Sequence, residues 1–361
     1  MKRSVISIII SIIILLLIIV VLVPGCKGET TAEETTAKAV ETTAAIEEYM
    51  PSVGKISTED YVPTFREAKE KYLIGFANNT RAAAFCNLVE ESMVESAEKA
   101  GVELFIVDNE ADAAKAVDNA RAMISKDVDF FVEYQPAEDA NVAIADMMKQ
   151  EGIPMLCIDI GAPGCPFFGG NNYLVGTKAG EWLIKYVNEN WSDVEDIYFL
   201  MVEWTAAGAA NDERVAGTID SLVAAIPRIE NNITKLDTDA QLETALDKTR
   251  TWLTAHPDAN HIIIGTVFDG LGAGALAALR ESNREADAII MSFGADSSIF
   301  DEIRNPESAY KGSGAFFPEK YGEWVIPIAL DILQGNPVPL EYFVPHVIID
   351  GSNINEYYPA D

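Results

Sequence analysis

Apolar residues along this chain come in short unbroken runs, separated by stretches in which they recur every three or four positions. The runs YLIGFAN, VELFIVD, VDFFVEY and IPMLCI are rich in β-branched and aromatic residues. They are hydrophobic at consecutive positions, which predicts strands covered on both faces. Between the first two, Phe85, Leu88, Val89, Ser92, Met93 and Ala97 trace one helical stripe that ends at Gly101. Ala111 to Ile124 predicts a second helix and Ala137 to Glu151 a third. Val128 to Asp159 is thus a strand–helix–strand crossover of about 30 residues, the length that parallel pairing requires. Polar residues gather just past the carboxyl ends of its two strands, at Glu133, Tyr134 and Gln135 and again at Asp159. Open α/β sheets bind ligands at that edge.

A short strand at Phe167 to Asn171 closes this first series, and a second begins at Leu174. Strands are predicted at IYFLMVE, Asn232 to Leu236, HIIIGTVF, AIIMSFG, Tyr310 to Phe316 and Tyr342 to Ile349, with helices between most of them. Together the two series exceed one comfortable sheet. The economical fold is α/β: two Rossmann-like, doubly wound parallel-sheet lobes facing each other across a cleft.

The amino terminus stands apart. Lys2 and Arg3 precede an uncharged apolar run, Ser4 to Val23, followed by Pro24, Gly25 and Cys26. This is the layout of a secretory signal over residues 1–25, and VPGC resembles a lipobox that would make Cys26 the lipidated first residue. An uncleaved membrane anchor is the alternative, because the run is long enough to span a bilayer. Both place the body outside the cytoplasm, held at a membrane. Residues 26–70, Thr/Ala/Glu-rich at first, read as a flexible tether. A net charge of −31 excludes nucleic acid as a partner and argues against docking on anionic lipid. With no CxxC and three isolated histidines, neither a zinc site nor any cofactor is expected. Of the cysteines, Cys157 and Cys165 are the plausible disulfide pair in an exported chain.

The ordered segments IGFANN, VDFFVEYQPAEDA, GIPMLCID, GGNNYLVGTKAGEWL, NDERVAGTIDSL, GTVFDGLGAGALAAL, IIMSFGADSS, AFFPEKYG and LDILQGNPVPLEYFVPHVIID resemble the sugar-binding periplasmic family typified by ribose-binding protein. The resemblance spans Tyr72 to Asp350. It implies a solute-binding protein of an ABC transporter, a monomer that captures a small polar ligand by hinge closure and hands it to a membrane permease. It also implies three crossings between lobes, near Asn171–Asn172, Gly314 to Phe317 and Pro337 to Leu340. One lobe would then be 71–171 plus 317–337, and the other 172–316 plus 338–361. The ligand positions it implies are Phe85, Asp159, Arg214, Phe268 with Asp269 beside it, Asp296 and Phe316. At Phe268 and Phe316 a phenylalanine replaces an amide. With Tyr134, Gln135, Trp204 and Phe317 also near strand ends, the pocket is expected to be unusually aromatic: a sugar stacked on rings, or a ligand less polar than a pentose.

Each of these residues also has a structural reading. Asp159 reads as a turn or cap residue before Gly161, Arg214 as a partner of Asp212 or Glu213, Asp296 as a cap for the helix at Ser298, and the aromatics as packing. GLGAGA, from Gly270, has the wrong spacing for a dinucleotide fingerprint and follows a carboxylate. No catalytic motif is present, so no enzyme is expected, although paired acids such as Glu133 and Asp159 leave a glycosidase as the least favoured alternative. A ligand sensor that presents its closed form to a chemoreceptor or sensor kinase is the other alternative to transport.

Overall fold

The computed structural model describes residues 49–135 and 137–360. The proposed signal segment, Cys26 and most of the proposed tether lie outside the described residues. Among the described residues, no helix is long and apolar enough to cross a membrane.

The first series folds as β1 (Leu73–Asn78), α1 (Ala84–Ala100), β2 (Glu103–Asp108), α2 (Ala113–Lys126), β3 (Phe130–Glu133), α3 (Glu138–Glu151), β4 (Met155–Ile158) and β5 (Phe167–Gly169). The second runs α4 (Asn172–Asn190), β6 (Tyr198–Glu203), α5 (Ala209–Ala225), β7 (Ile233–Asp237), α6 (Leu242–Ala255), β8 (Ile262–Thr266), α7 (Asp269–Glu281), β9 (Ala288–Gly294), α8 (Phe300–Arg304) and β10 (Tyr310–Ala315). Then come α9 (Tyr321–Leu333), β11 (Glu341–Phe343), β12 (Val347–Asp350) and α10 (Ile354–Tyr357). There are two six-stranded sheets, ordered β11-β5-β4-β3-β1-β2 and β12-β10-β9-β8-β6-β7. Every pairing is parallel except β10 with β12. The two orders are the same arrangement used twice, as the two hydrophobic series predict.

Consecutive apolar residues in β3 are buried on opposite faces of the sheet. Phe130 and Val132 join one core while Phe131 joins the other, beneath α2 and α3. Fully burying such a side chain is worth about 1.5–3 kcal/mol, so a strand covered on both sides stabilises at every position.

The chain leaves the first sheet after β5, returns after β10 when α9 packs on α1 (Gly322 N donates to Ser92 Oγ at 3.0 Å), and leaves again after β11. The last crossing therefore falls at 344–346 rather than at Pro337 to Leu340, because β11 pairs with β5 of the first sheet. The single strand expected from Tyr342 to Ile349 is two strands in different sheets. Pro345, which has no N–H for a ladder, lies in the break.

The tether is also shorter than its composition suggests. Met50, Val53 and Tyr61 are buried, Gly54 N donates to Val338 O at 2.8 Å, and Tyr61 Oη donates to Asp331 at 2.8 Å. The folded body thus takes in at least residues 49–61 of the expected 26–70. Their apolar positions are too sparse to show a period.

Candidate functional site: a ligand cleft between two sheets

At the end of β4 the chain turns through Asp159 in the left-handed region, with φ of 60°. Its carboxylate accepts from Tyr321 Oη at 3.1 Å, and the hydroxyl of Tyr134, which follows β3, lies close enough to favour its charged form. A side chain on Gly169, in β5, would press on this carboxylate at 2.7 Å, so glycine there leaves Asp159 its space. Burial pushes the Asp159 carboxyl up to about 6. The two phenols, the positive charge of Arg214 and the Gly170 amide oppose that rise.

Arg214 projects from α5 of the other lobe, and its position follows from backbone contact between helices. A Cβ on Gly176 of α4 would collide with the carbonyl oxygen of Arg214, and one on Gly217 of α5 with that of Tyr173. The two helices therefore touch. Arg214 Nε and Nη2 both donate to Asn172 Oδ1, at 3.2 and 2.6 Å, and Nη1 donates to Val267 O at 2.7 Å. The guanidinium is flanked by the rings of Phe316 and Phe293, at 4.9 and 5.3 Å from their centroids. Burial lowers its pKa to about 10, against the pull of Asp159, Tyr321 and Asp269. Three of its five N–H groups are committed, which leaves two. The sequence-predicted pair is thus brought together: a carboxylate from one lobe and a guanidinium from the other, close enough to feel each other's charge.

The remaining candidates divide. Phe85, at the start of α1, meets Tyr321, the phenol bonded to Asp159, edge-on at 5.8 Å. Phe316 is buried between Arg214, Gly170 and the edge of His346, 6.5 Å away. Phe268 and Trp204 are half-buried at the carboxyl ends of β8 and β6. Asp296 is exposed and makes no side-chain cap bond, so the capping role open to it from sequence is not taken.

Three others are spent internally. Gln135 donates to Ala137 O and Asn141 Oδ1 and accepts from Ala137 N, so its amide builds the loop after β3. Asp269 accepts from Tyr310 Oη at 3.0 Å, from Ser313 Oγ at 2.7 Å, from Ser292 Oγ and from the Asp296 amide at 2.7 Å. Phe317, at φ of 57°, packs with Tyr357 and Tyr358. Cys157 and Cys165 are free, buried thiols in hydrogen-bonding contact rather than a disulfide.

Sequence reasoning missed four groups. Tyr321 and Asn172 orient the two charged residues. Asn79, at the end of β1, keeps a buried Oδ1 without a partner. His346, in the last crossing, accepts from Asn171 N in the first at 3.0 Å, and its Nδ1 has no partner. Burial, Lys178 and Arg214 depress its pKa to about 4. No periodicity marks such residues; only their nearness to a chain crossing hints at them. Among the described residues no group of acids, histidines and cysteines is arranged to hold a metal.

Comparison with known proteins finds the same two-lobed fold elsewhere. A curated relative, the ribose import binding protein of Bacillus subtilis, is 23% identical over 274 residues, 75% of this chain and 84% of that protein. A glucose-galactose binding protein from Geobacillus stearothermophilus superposes with a TM-score of 0.65 at 19% identity, covering 79% of this chain and 99% of the other. A solute-binding protein of Actinobacillus succinogenes, solved with D-allose, gives 0.70 at 18%, covering 79% and 100%. These relatives are binders rather than enzymes. Residues 74–337 match the family model of the periplasmic binding protein domain, and the chain belongs to that family.

Proposed function

We propose that this chain captures a small polyhydroxylated ligand, a sugar or polyol, between its lobes and presents it to the permease of an ABC transporter. The observation that carries this reading is the pairing of Asp159 with Arg214 across the cleft, each fixed by neighbours yet with hydrogen-bonding capacity to spare. A carboxylate takes hydroxyl donors and a guanidinium donates to hydroxyl oxygens, so one ligand bridging both draws the lobes together. No bond is broken. The work is a difference in affinity between open and closed arrangements. The relatives named above, which bind or import sugars, support the ligand class.

In this reading Cys26 carries the anchor, and the acidic segment after it gives the body reach from the membrane. Cys26→Ser would then release the protein from the membrane fraction. Calorimetric titration of the full chain with a panel of pentoses, hexoses and polyols tests the central point. A saturable heat with one-to-one stoichiometry is expected, with a melting point that climbs as ligand is added. A panel without a single binder would remove the reading.

A further inference from the structure

We propose that the ligand carries a deoxygenated edge, a methyl or methylene end in place of one hydroxyl-bearing carbon, and that Phe316 selects it. The inference deepens the proposed function and rests on it. The two walls of the cleft differ in what they offer. On the first-lobe side lie the Asp159 carboxylate and the phenol oxygens of Tyr134 and Tyr321. On the second-lobe side the guanidinium of Arg214 is set between two phenylalanine rings and has two N–H groups left. Phe316 stands beside the guanidinium, against the first crossing between the lobes. Its ring lies 4.9 Å from the Arg214 carbon and packs on Gly170, the neighbour of the glycine that touches Asp159. The next strand end on this wall adds another ring, Phe268, immediately after the carbonyl that Arg214 grips.

A phenylalanine ring neither donates nor accepts a conventional hydrogen bond. A ligand hydroxyl turned to it gives up its water without a replacement, whereas a C–H edge meets it at no such cost. Hydroxyls therefore belong at the Asp159 end and carbon at the Phe316 end. An apolar wall can reject an added hydroxyl only by about a hundredfold, which sets a ceiling on the selectivity.

The test uses matched pairs that differ by one oxygen: D-galactose with D-fucose, L-mannose with L-rhamnose, and D-ribose with 5-deoxy-D-ribose. Each is titrated into the full chain and into the Phe316→Gln and Phe316→Leu variants. For the wild type, the deoxy member of at least one pair should bind about tenfold tighter or more. Phe316→Gln should bring that ratio to one or invert it, and Phe316→Leu, still apolar, should keep it. If hydroxylated members bind as tightly as their deoxy partners, or if the glutamine variant keeps the preference, the selection by Phe316 is overturned while sugar capture stands. If no member of any pair binds, the deoxy-edge selection falls, and sugar capture falls with it only when the whole panel of pentoses, hexoses and polyols is silent as well.

Discussion

Asp159 and Asp269 look alike in sequence, each a carboxylate at the carboxyl end of a buried strand, and burial pushes both up to about 6. Their surroundings differ in kind. Asp269 is fully enclosed and accepts from three hydroxyls and one amide, tying together β9, β10 and the loop that carries Asp296. Asp159 is half-buried, accepts from Tyr321 Oη, lies close to the Tyr134 hydroxyl and the Gly170 amide, and faces a cation from the opposite lobe. A carboxylate whose lone pairs are filled by its own fold is scaffold, and one left short of donors is a site. Position along the strand does not distinguish them; the count of surrounding donors does.

Removing Asp269 should have the largest effect. Asp269→Ala strands three hydroxyls and an amide in a dry interior and is expected to cost about 3 kcal/mol or more of unfolding free energy, read from urea denaturation. If the variant instead unfolds like wild type but fails to bind, the contrast drawn above is inverted. Asp159→Ala should do the reverse. The melting point stays near that of wild type, while affinity for the best sugar of the panel falls by about 1.5–3 kcal/mol, because hydrogen bonds to a charged group are lost. Arg214→Lys keeps the charge but not the planar fork held by Asn172 and Val267. About 1 kcal/mol of binding should go, measured by the same titration.

Smaller effects sharpen the comparison. Tyr321→Phe removes the phenol that donates to Asp159, which raises the carboxyl further and moves the midpoint of pH-dependent binding upward. The acidity follows a definite sign. The folded Asp159 holds its proton up to about 6 against an ordinary value of 3.8, so its contribution to stability is complete below pH 4 and lost as pH rises through 6. The melting point of the ligand-free wild type minus that of Asp159→Asn should therefore decline between about pH 4 and 6 and level off above. Ligand hydroxyls need the ionised form, so affinity should weaken as pH falls through 6. His346 titrates in the opposite sense. Neutral in the fold down to about 4, it contributes stability above 6.5 that is lost on acidification. The difference between wild type and variant cancels it.

Much of this architecture was legible in the sequence. The consecutive hydrophobic runs mark β1 to β4 because both faces of each sheet are covered, and the alternation with helices leaves little topological freedom. The prediction failed at the break between β11 and β12, since apolar residues run on either side of it and only Pro345 marks it. Asp159 was readable from its place at a strand end. Gln135 and Asp269 were equally readable and yet are consumed inside the fold, Gln135 by Ala137 and Asn141 of its own loop and Asp269 by Ser292, Tyr310 and Ser313 on other strands. Tyr321 escaped notice because it reaches Asp159 from 162 residues downstream, on a helix that crosses back to the first lobe.

The backbone contact at Gly176 and Gly217 has a consequence for how this site can vary. Arg214 rides on a helix seated directly against its neighbour, so an alanine at either glycine would prise the pair apart and carry the guanidinium off its mark. Two residues that never meet the cargo thereby govern its grip. A survey confined to contact residues would pass over them, while random mutagenesis should return them among its most damaging hits.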